Sequence, residues 1–275
     1  LADYARKDFL VSAEWLAGHI DDRGLRVIDA RGANRYSEGH IPGAVNLPVA
    51  RIDDPSAAVR SSLLPPDRFG ASIGRLGIGN GDSVVIYDDG PGLMAARLFW
   101  AMDYYGHEKL AILNGGIVRW VAKGHPVTMQ AAAPETKLYT ATPHPERGAT
   151  KDEVKARIGK ADAVLLDVRS LEEYTGEMVQ AMRGGHIPGA KFLEWTTALN
   201  DGAVPGFKGA EELSKQLTAV GATPDKEVVT YCQGGVRAAH TYYVLRLLGY
   251  DNVRNYSGSW GDWGNDPSLP TEQGG

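Results

Sequence analysis

The chain has 275 residues, 43% hydrophobic and 23% charged, with a formal net charge of -5, a composition that buries a core and excludes a disordered chain. Its 34 glycines follow no triplet period, which excludes collagen, and its apolar runs, such as Val84-Val85-Ile86-Tyr87, fall far short of the ~20 residues a membrane-crossing helix needs. With 29 Lys and Arg against 34 Asp and Glu there is no global attraction for nucleic acid or anionic lipid, so any bound anion must be captured locally.

In chain order, most elements occur twice. Ser12 opens the first set, followed by the β-rich run Arg26-Val27-Ile28-Asp29-Ala30-Arg31, the turn Gly39-His40-Ile41-Pro42-Gly43-Ala44, Leu76-Gly77 ahead of Val84–Tyr87, and Leu113-Asn114-Gly115-Gly116 with Trp120. Residues 128–148 are rich in Ala, Thr and Pro and lack a hydrophobic period, which predicts an extended linker. Thr150 with Glu153 then forms a capping-box pattern for a helix, and Ala163–Val168 reads as a buried strand. Thr150 and Asp167 follow Ser12 and Asp29 at a separation of 138, whereas the turn Gly185-His186-Ile187-Pro188-Gly189-Ala190 follows its counterpart at 146. The second copy therefore carries eight extra residues, within Tyr174–Gly184. Ala210–Val220 predicts a helix, Glu227–Tyr231 a strand at separation 144 from its partner, and Arg237–Leu248 a helix closed by Gly249. Tyr256-Ser257-Gly258-Ser259 with Trp263 completes the set at 143.

Two α/β domains follow from this order, residues 1–127 and 149–275, joined by 128–148, each a parallel sheet flanked by helices. Ligands of such sheets bind beyond the carboxyl ends of the strands, and the single cysteine, Cys232, falls at that place. One cysteine excludes an intramolecular disulfide and a cysteine-based zinc site. In Tyr231-Cys232-Gln233-Gly234-Gly235-Val236-Arg237 the glycines let the backbone curl so that N–H groups turn inward, and the following helix adds its positive end. That hollow favours a thiolate on Cys232, and Arg237 can aim its fork at an oxyanion. His240, one turn into the helix, reads as structural, and Asp167 with Arg169 as an ion pair that holds loops. His40 and His186 sit in identical turns, one in the copy without a cysteine, which argues for turn architecture. Trp195, Tyr104 and Tyr105 read as packing near the domain interface.

These residues resemble the rhodanese family, specifically its tandem-domain sulfurtransferases. Tyr36-Ser37-Glu38-Gly39-His40-Ile41-Pro42-Gly43-Ala44 is similar to the family's N-terminal motif. Tyr256-Ser257-Gly258-Ser259-Trp260-Gly261-Asp262-Trp263 is similar to its C-terminal one, with departures at Ser257 and Asp262. The resemblance implies two rhodanese-like domains, the second catalytic and the first inactive, because Asp88 stands at the cysteine position. It implies that Cys232 attacks the sulfane sulfur of thiosulfate, releases sulfite, and passes the sulfur from its persulfide to cyanide or a thiol. The backbone from Gln233 through Gly234, Gly235, Val236 and Arg237 would bind the substrate and the persulfide charge. Other tandem members carry a second Arg where Glu173 stands, and Arg183 of the inserted segment is the candidate replacement.

Among substrates, the family's 3-mercaptopyruvate enzymes carry C-G-[ST]-G-V-T; here Gln233, Gly234 and Arg237 depart from that pattern, and a cation suits the thiosulfate dianion. A cysteine-based phosphatase or arsenate reductase is the rival enzyme class, although C-x4-R is one residue short of the usual C-x5-R ring. A non-enzymatic persulfide carrier that serves a protein thiol partner is the other alternative. No metal or organic cofactor is expected, nor a nucleic-acid or membrane partner. Leu1–Leu10 shows no export motif, which sets a cytoplasmic expectation unless a leader was removed.

Overall fold

A computed structural model describes residues 3–274. The first half contains β1 (Leu10–Val11), α1 (Ala13–His19), β2 (Leu25–Asp29), α2 (Ala33–Glu38), β3 (Val45–Asn46), α3 (Pro66–Arg75), β4 (Ser83–Tyr87), α4 (Leu93–Tyr104), β5 (Leu110–Leu113) and α5 (Gly116–Ala122). The second contains α6 (Lys151–Arg157), β6 (Ala163–Asp167), α7 (Leu171–Thr175), β7 (Lys191–Phe192), α8 (Ala210–Ala219), β8 (Glu227–Tyr231), α9 (Val236–Leu247), β9 (Val253–Asn255) and α10 (Ser259–Trp263). Both sheets are wholly parallel, in the orders β1-β5-β4-β2-β3 and β7-β6-β8-β9. In place of β1 the second sheet has a single parallel bridge, Gly148 to Asn255.

Local chemistry sets the element ends. Ser12 caps α1 by accepting from Trp15 N–H at 3.1 Å, and Thr150 with Glu153 makes the reciprocal capping box of α6. Gly249 ends α9 with φ +86°, the left-handed geometry a helix stop requires. The central strands β4 and β8 are buried on both faces after their first residue, as expected of parallel sheets covered by helices on either side. Residues between α5 and Pro145 form no helix or strand. They run along the first domain: Thr128 pairs with His40, and Lys137 donates to the Gly74 carbonyl and pairs with Asp82.

The two sheets share one core. A single apolar cluster takes in Phe9, Phe69, Ile86, Phe99 and Met102 together with Leu166, Leu217, Tyr243, Leu245 and Val253. Its middle is the packing of α4 on α9, where the Phe99 and Tyr243 rings meet edge to face at 4.9 Å. Each outer sheet face has its own smaller cluster, around Trp120 in the first domain and around Trp260 and Trp263 in the second.

Candidate active site

β8 delivers Cys232 to the carboxyl end of the second sheet, and α9 starts four residues later. Gly235 makes the turn between them at φ +76°, and a Cβ there would lie 2.7 Å from the Ser257 carbonyl oxygen, so the position needs glycine on both counts. The carbonyls of Cys232 and Gln233 are taken up by the first turn of α10, accepting from Trp260 and Gly261 N–H at 2.9 Å. The Gly235 amide turns inward and donates to Cys232 Sγ at 3.1 Å. Ser259, fully buried, ties the turn together. Its Oγ accepts from the Cys232 N–H at 3.0 Å and the Gly235 N–H at 3.1 Å, and donates to the Tyr256 carbonyl at 2.7 Å. It does so from φ +54°, a conformation strained for a residue with a Cβ. Cys232 is 1% exposed.

Arg237 lies in the first turn of α9 with its two terminal nitrogens on the Glu173 carboxylate, at 2.6 and 2.9 Å. Glu173 is buried at the start of α7. Burial alone would push its carboxyl up, but the Arg237 fork and the Ser170 N–H outweigh that and hold it below the usual carboxylate range. For Arg237 burial works against the proton, and Glu173 together with the nearby Cys232 outweighs it. The carboxylate at position 173 therefore orients the cation rather than merely lacking one.

The other sequence-stated candidates fall as follows. Gln233 turns its amide to the Gln180 carbonyl at 3.0 Å, toward the inserted segment. Gly234 is not left-handed, and a Cβ on it would lie 3.4 Å from Ser61 Oγ, in ordinary contact with the first domain's loop. Val236 opens α9, whose first amides have no partner within the helix. Arg183 corrects the expectation of an anion contact. All three of its guanidinium nitrogens donate to main-chain carbonyls, those of Trp263, Gly264, Asp266 and Leu269, so it fastens the C-terminal segment and has no fork left for a substrate.

Asp167 and Arg169 form a buried two-pronged pair at 2.6 to 3.1 Å, and Arg169 also donates to the Gly185 carbonyl, the loop-holding role read from the sequence. His186 stacks on Tyr174 and His40 on Tyr36, with ring centroids 3.8 and 3.7 Å apart, the same turn built twice. His240 is completely buried; desolvation depresses it to about 4, and as the neutral ring it donates from Nε2 to the Pro91 carbonyl at 3.1 Å.

In the first domain the corresponding loop already holds an anion-shaped group. The Asp88 carboxylate accepts from the amides of Gly90 and Gly92 on one oxygen, at 2.9 and 3.1 Å, and of Met94 and Ala95 on the other, at 2.9 and 3.4 Å. Gly92 is the left-handed residue before α4, as Gly235 is before α9, and the loop is one residue longer. Burial raises the Asp88 carboxyl even against those four donors.

Beside the cysteine loop lies a polar cavity of about 870 Å³ between the domains, lined by Arg60 and Ser61 of the first and by Gln233, Gly234, Lys151 and Asp262 of the second. Lys151 is paired with Asp262 and Asp266, whereas Arg60 forms no ion pair among the described residues. Among the described residues no cluster of His, Cys, Asp or Glu is placed to hold a metal ion, and no helix is long and apolar enough to cross a membrane.

A cysteine at a strand end, a curled amide loop running into a helix, and a second copy of the same α/β unit define a tandem α/β protein with one cysteine loop, and the Rhodanese-like domain family model matches twice, at residues 12–123 and 150–266. The chain belongs to the rhodanese family. A thiosulfate sulfurtransferase from Azotobacter vinelandii is 37% identical over 273 residues, covering 98% of this chain and 99% of its own. The sulfur carrier protein TtuD of Thermus thermophilus is 38% identical over 288 residues, with 98% and 99% covered. Among solved structures, an anaerobic ergothioneine biosynthesis enzyme from Chlorobium limicola in complex with trimethyl histidine superposes with a TM-score of 0.86 at 28% identity, covering 98% of this chain and 71% of that one.

The sequence does not announce Ser259, Glu173 as a partner of Arg237, or the first-domain residues beside the cysteine loop. The one available sign was a lone charge, Arg97, inside the otherwise apolar run Leu93–Met102.

Proposed function

We propose that this chain is a thiosulfate sulfurtransferase that works through a persulfide on Cys232. The Cys232 thiolate attacks the outer sulfur of thiosulfate; the Cys232 Sγ–S bond forms, the S–S bond of thiosulfate breaks, and its electron pair leaves with sulfite. A thiol or cyanide then takes the outer sulfur and returns Cys232 to the thiolate.

The observation that carries this reading is the Asp88 loop. A carboxylate places its oxygens two bonds beyond Cβ, where a persulfide places its outer sulfur, and in the first domain the Gly92 amide holds one of those oxygens while the Met94 and Ala95 amides hold the other. The corresponding amides before and within α9 are those of Gly235, Arg237 and Ala238. Only Gly235 reaches the thiol sulfur, and the other two are donors for the sulfur that loading adds. The name of the Azotobacter vinelandii relative supports thiosulfate as the donor. The name of the Thermus thermophilus relative supports a protein thiol as an acceptor.

Intact mass before and after incubation with thiosulfate, on the wild type and on Cys232→Ser, tests the reading. A gain of about 32 Da that cyanide removes and the Ser variant never shows is the expected result. Loading by 3-mercaptopyruvate alone would replace the donor, and hydrolysis of an aryl phosphate without loading would replace the reaction class.

A further inference from the structure

Arg97 sits in the middle of α4, fully buried among apolar neighbours. A buried guanidinium is costly unless its donors are satisfied, and it keeps its charge in almost any protein site. Its Nη2 donates to Asp53 at 2.9 Å and to the Ser61 carbonyl at 2.6 Å, its Nη1 to Ser257 Oγ at 2.9 Å, and its Cζ lies 4.6 Å from the Trp100 ring centroid. Nε has no partner. Two of the Arg97 partners abut the cysteine loop: Ser257 backs Gly235, and Ser61 Oγ faces Gly234. Ser61 holds that place from φ +62°, and Ser257 Oγ donates to the Ser61 carbonyl at 2.7 Å, so the clamp is closed across the two domains.

We propose that Arg97 is a positioning residue of the sulfur-transfer centre, contributed by the first domain: it clamps Ser61 and Ser257 against Gly234 and Gly235 and sets a buried positive charge behind the Cys232 thiolate. The proposal rests on Cys232 being the nucleophile, and it gives the domain without a cysteine a part in the chemistry. Burial works against the Arg97 proton, and the charges that oppose this are Asp53 and Cys232. Other charges on the elements packed around the cysteine loop include Arg237 of α9, paired with Glu173, the Arg169–Asp167 pair against Tyr231 and Trp260, and, lining the cavity beside the loop, Arg60 and Lys151, the latter paired with Asp262 and Asp266. His240 of α9 is neutral.

With a single cysteine in the chain, iodoacetamide alkylation reads Cys232 alone. Its rate is measured against pH for the wild type, Arg97→Lys, Arg97→Met and Asp53→Asn, beside the rate of thiosulfate loading. The expected result for Arg97→Met is an alkylation midpoint higher by roughly half a pH unit or more and loading slowed about tenfold. Arg97→Lys returns the midpoint but not the full loading rate, because the charge is restored without the fork. Asp53→Asn lowers the midpoint. If Arg97→Met does not fold, Asp53→Asn decides alone. Superimposable midpoints in every folded variant would overturn the proposal. A wild type that thiosulfate never loads would instead overturn the thiosulfate reading, and the midpoints would still decide on Arg97.

Discussion

At the scale of single residues, the pair Glu173 and Arg237 has consequences for both stability and reaction. The folded carboxyl of Glu173 lies below its ordinary value, so the unfolded chain binds its proton more readily. The stability this contributes is full above the ordinary carboxylate range and is lost as pH falls through the lower, folded value. Glu173→Gln therefore destabilises the protein at pH 7 by roughly 2 kcal/mol, the scale of a lost charge-assisted hydrogen-bonded pair, and the difference from wild type narrows as the solution is acidified below that range. Urea unfolding at pH 7 and in acid checks this; a difference that is constant with pH would show that the charge of Glu173 is not what holds Arg237. Arg237 and Gly235 stand out in the sequence because their types are scarce in that pattern, although the sequence aims the Arg237 fork at an oxyanion and the structure sets both of its terminal nitrogens on Glu173. Glu173 was read there only as a missing Arg, since pairing of α7 with α9 is a tertiary event. Arg183 was misread for the same reason: the four carbonyls that claim it belong to a segment about 80 residues away, and carbonyls are invisible in sequence.

At the scale of the element, the strand, amide loop and helix recur in both domains, and one atom pattern separates their fates. Asp88 supplies its own loop with the anion that the loop's amides require, so that loop has no vacancy for an exogenous anion. Asp88→Ala strips the acceptor from four amides, two of them in the first turn of α4, and lowers stability by roughly 2 kcal/mol or more. Thermal unfolding measures that loss. Thiosulfate loading of the folded variant stays at one sulfur per chain by mass, because neither the native carboxylate nor the methyl group that replaces it can carry sulfur; a loss of loading as large as the loss of stability would mean that the first loop has a catalytic part. The repeat, the strands and the capping box of α6 were legible because they are local patterns of period, turn residue and cap. That the Asp88 side chain fills its cradle was not, because a side chain accepting from the amides of its own loop leaves no mark in residue type or period.

At the scale of the whole molecule, the two domains read from the sequence pack on each other through α4 and α9 and share one core. The helices are buried on nearly all sides, and their polar residues cross the interface: Arg97 reaches Ser257, Tyr242 donates to Asp103 at 2.5 Å, and His240 donates to Pro91. Such a contact couples the two halves, so heating unfolds the chain in one calorimetric transition. His240 gives that transition its acid sensitivity. The neutral ring packs between Trp195 and Phe207, and its Nδ1 has no acceptor for a second proton. Its folded value of about 4 lies below the ordinary 6.5, so between those limits the unfolded chain binds more protons and stability falls as pH falls. Taken to pH 4 the loss from this one group is about 3 kcal/mol, at about 1.4 kcal/mol for each unit of separation. Calorimetry from pH 7 to pH 4 on the wild type and on His240→Gln checks it. The wild type should lose its thermal midpoint more steeply than the variant while keeping a single peak; parallel slopes would remove His240 as the cause, and two separate peaks would show that each domain holds itself together without the α4–α9 contact.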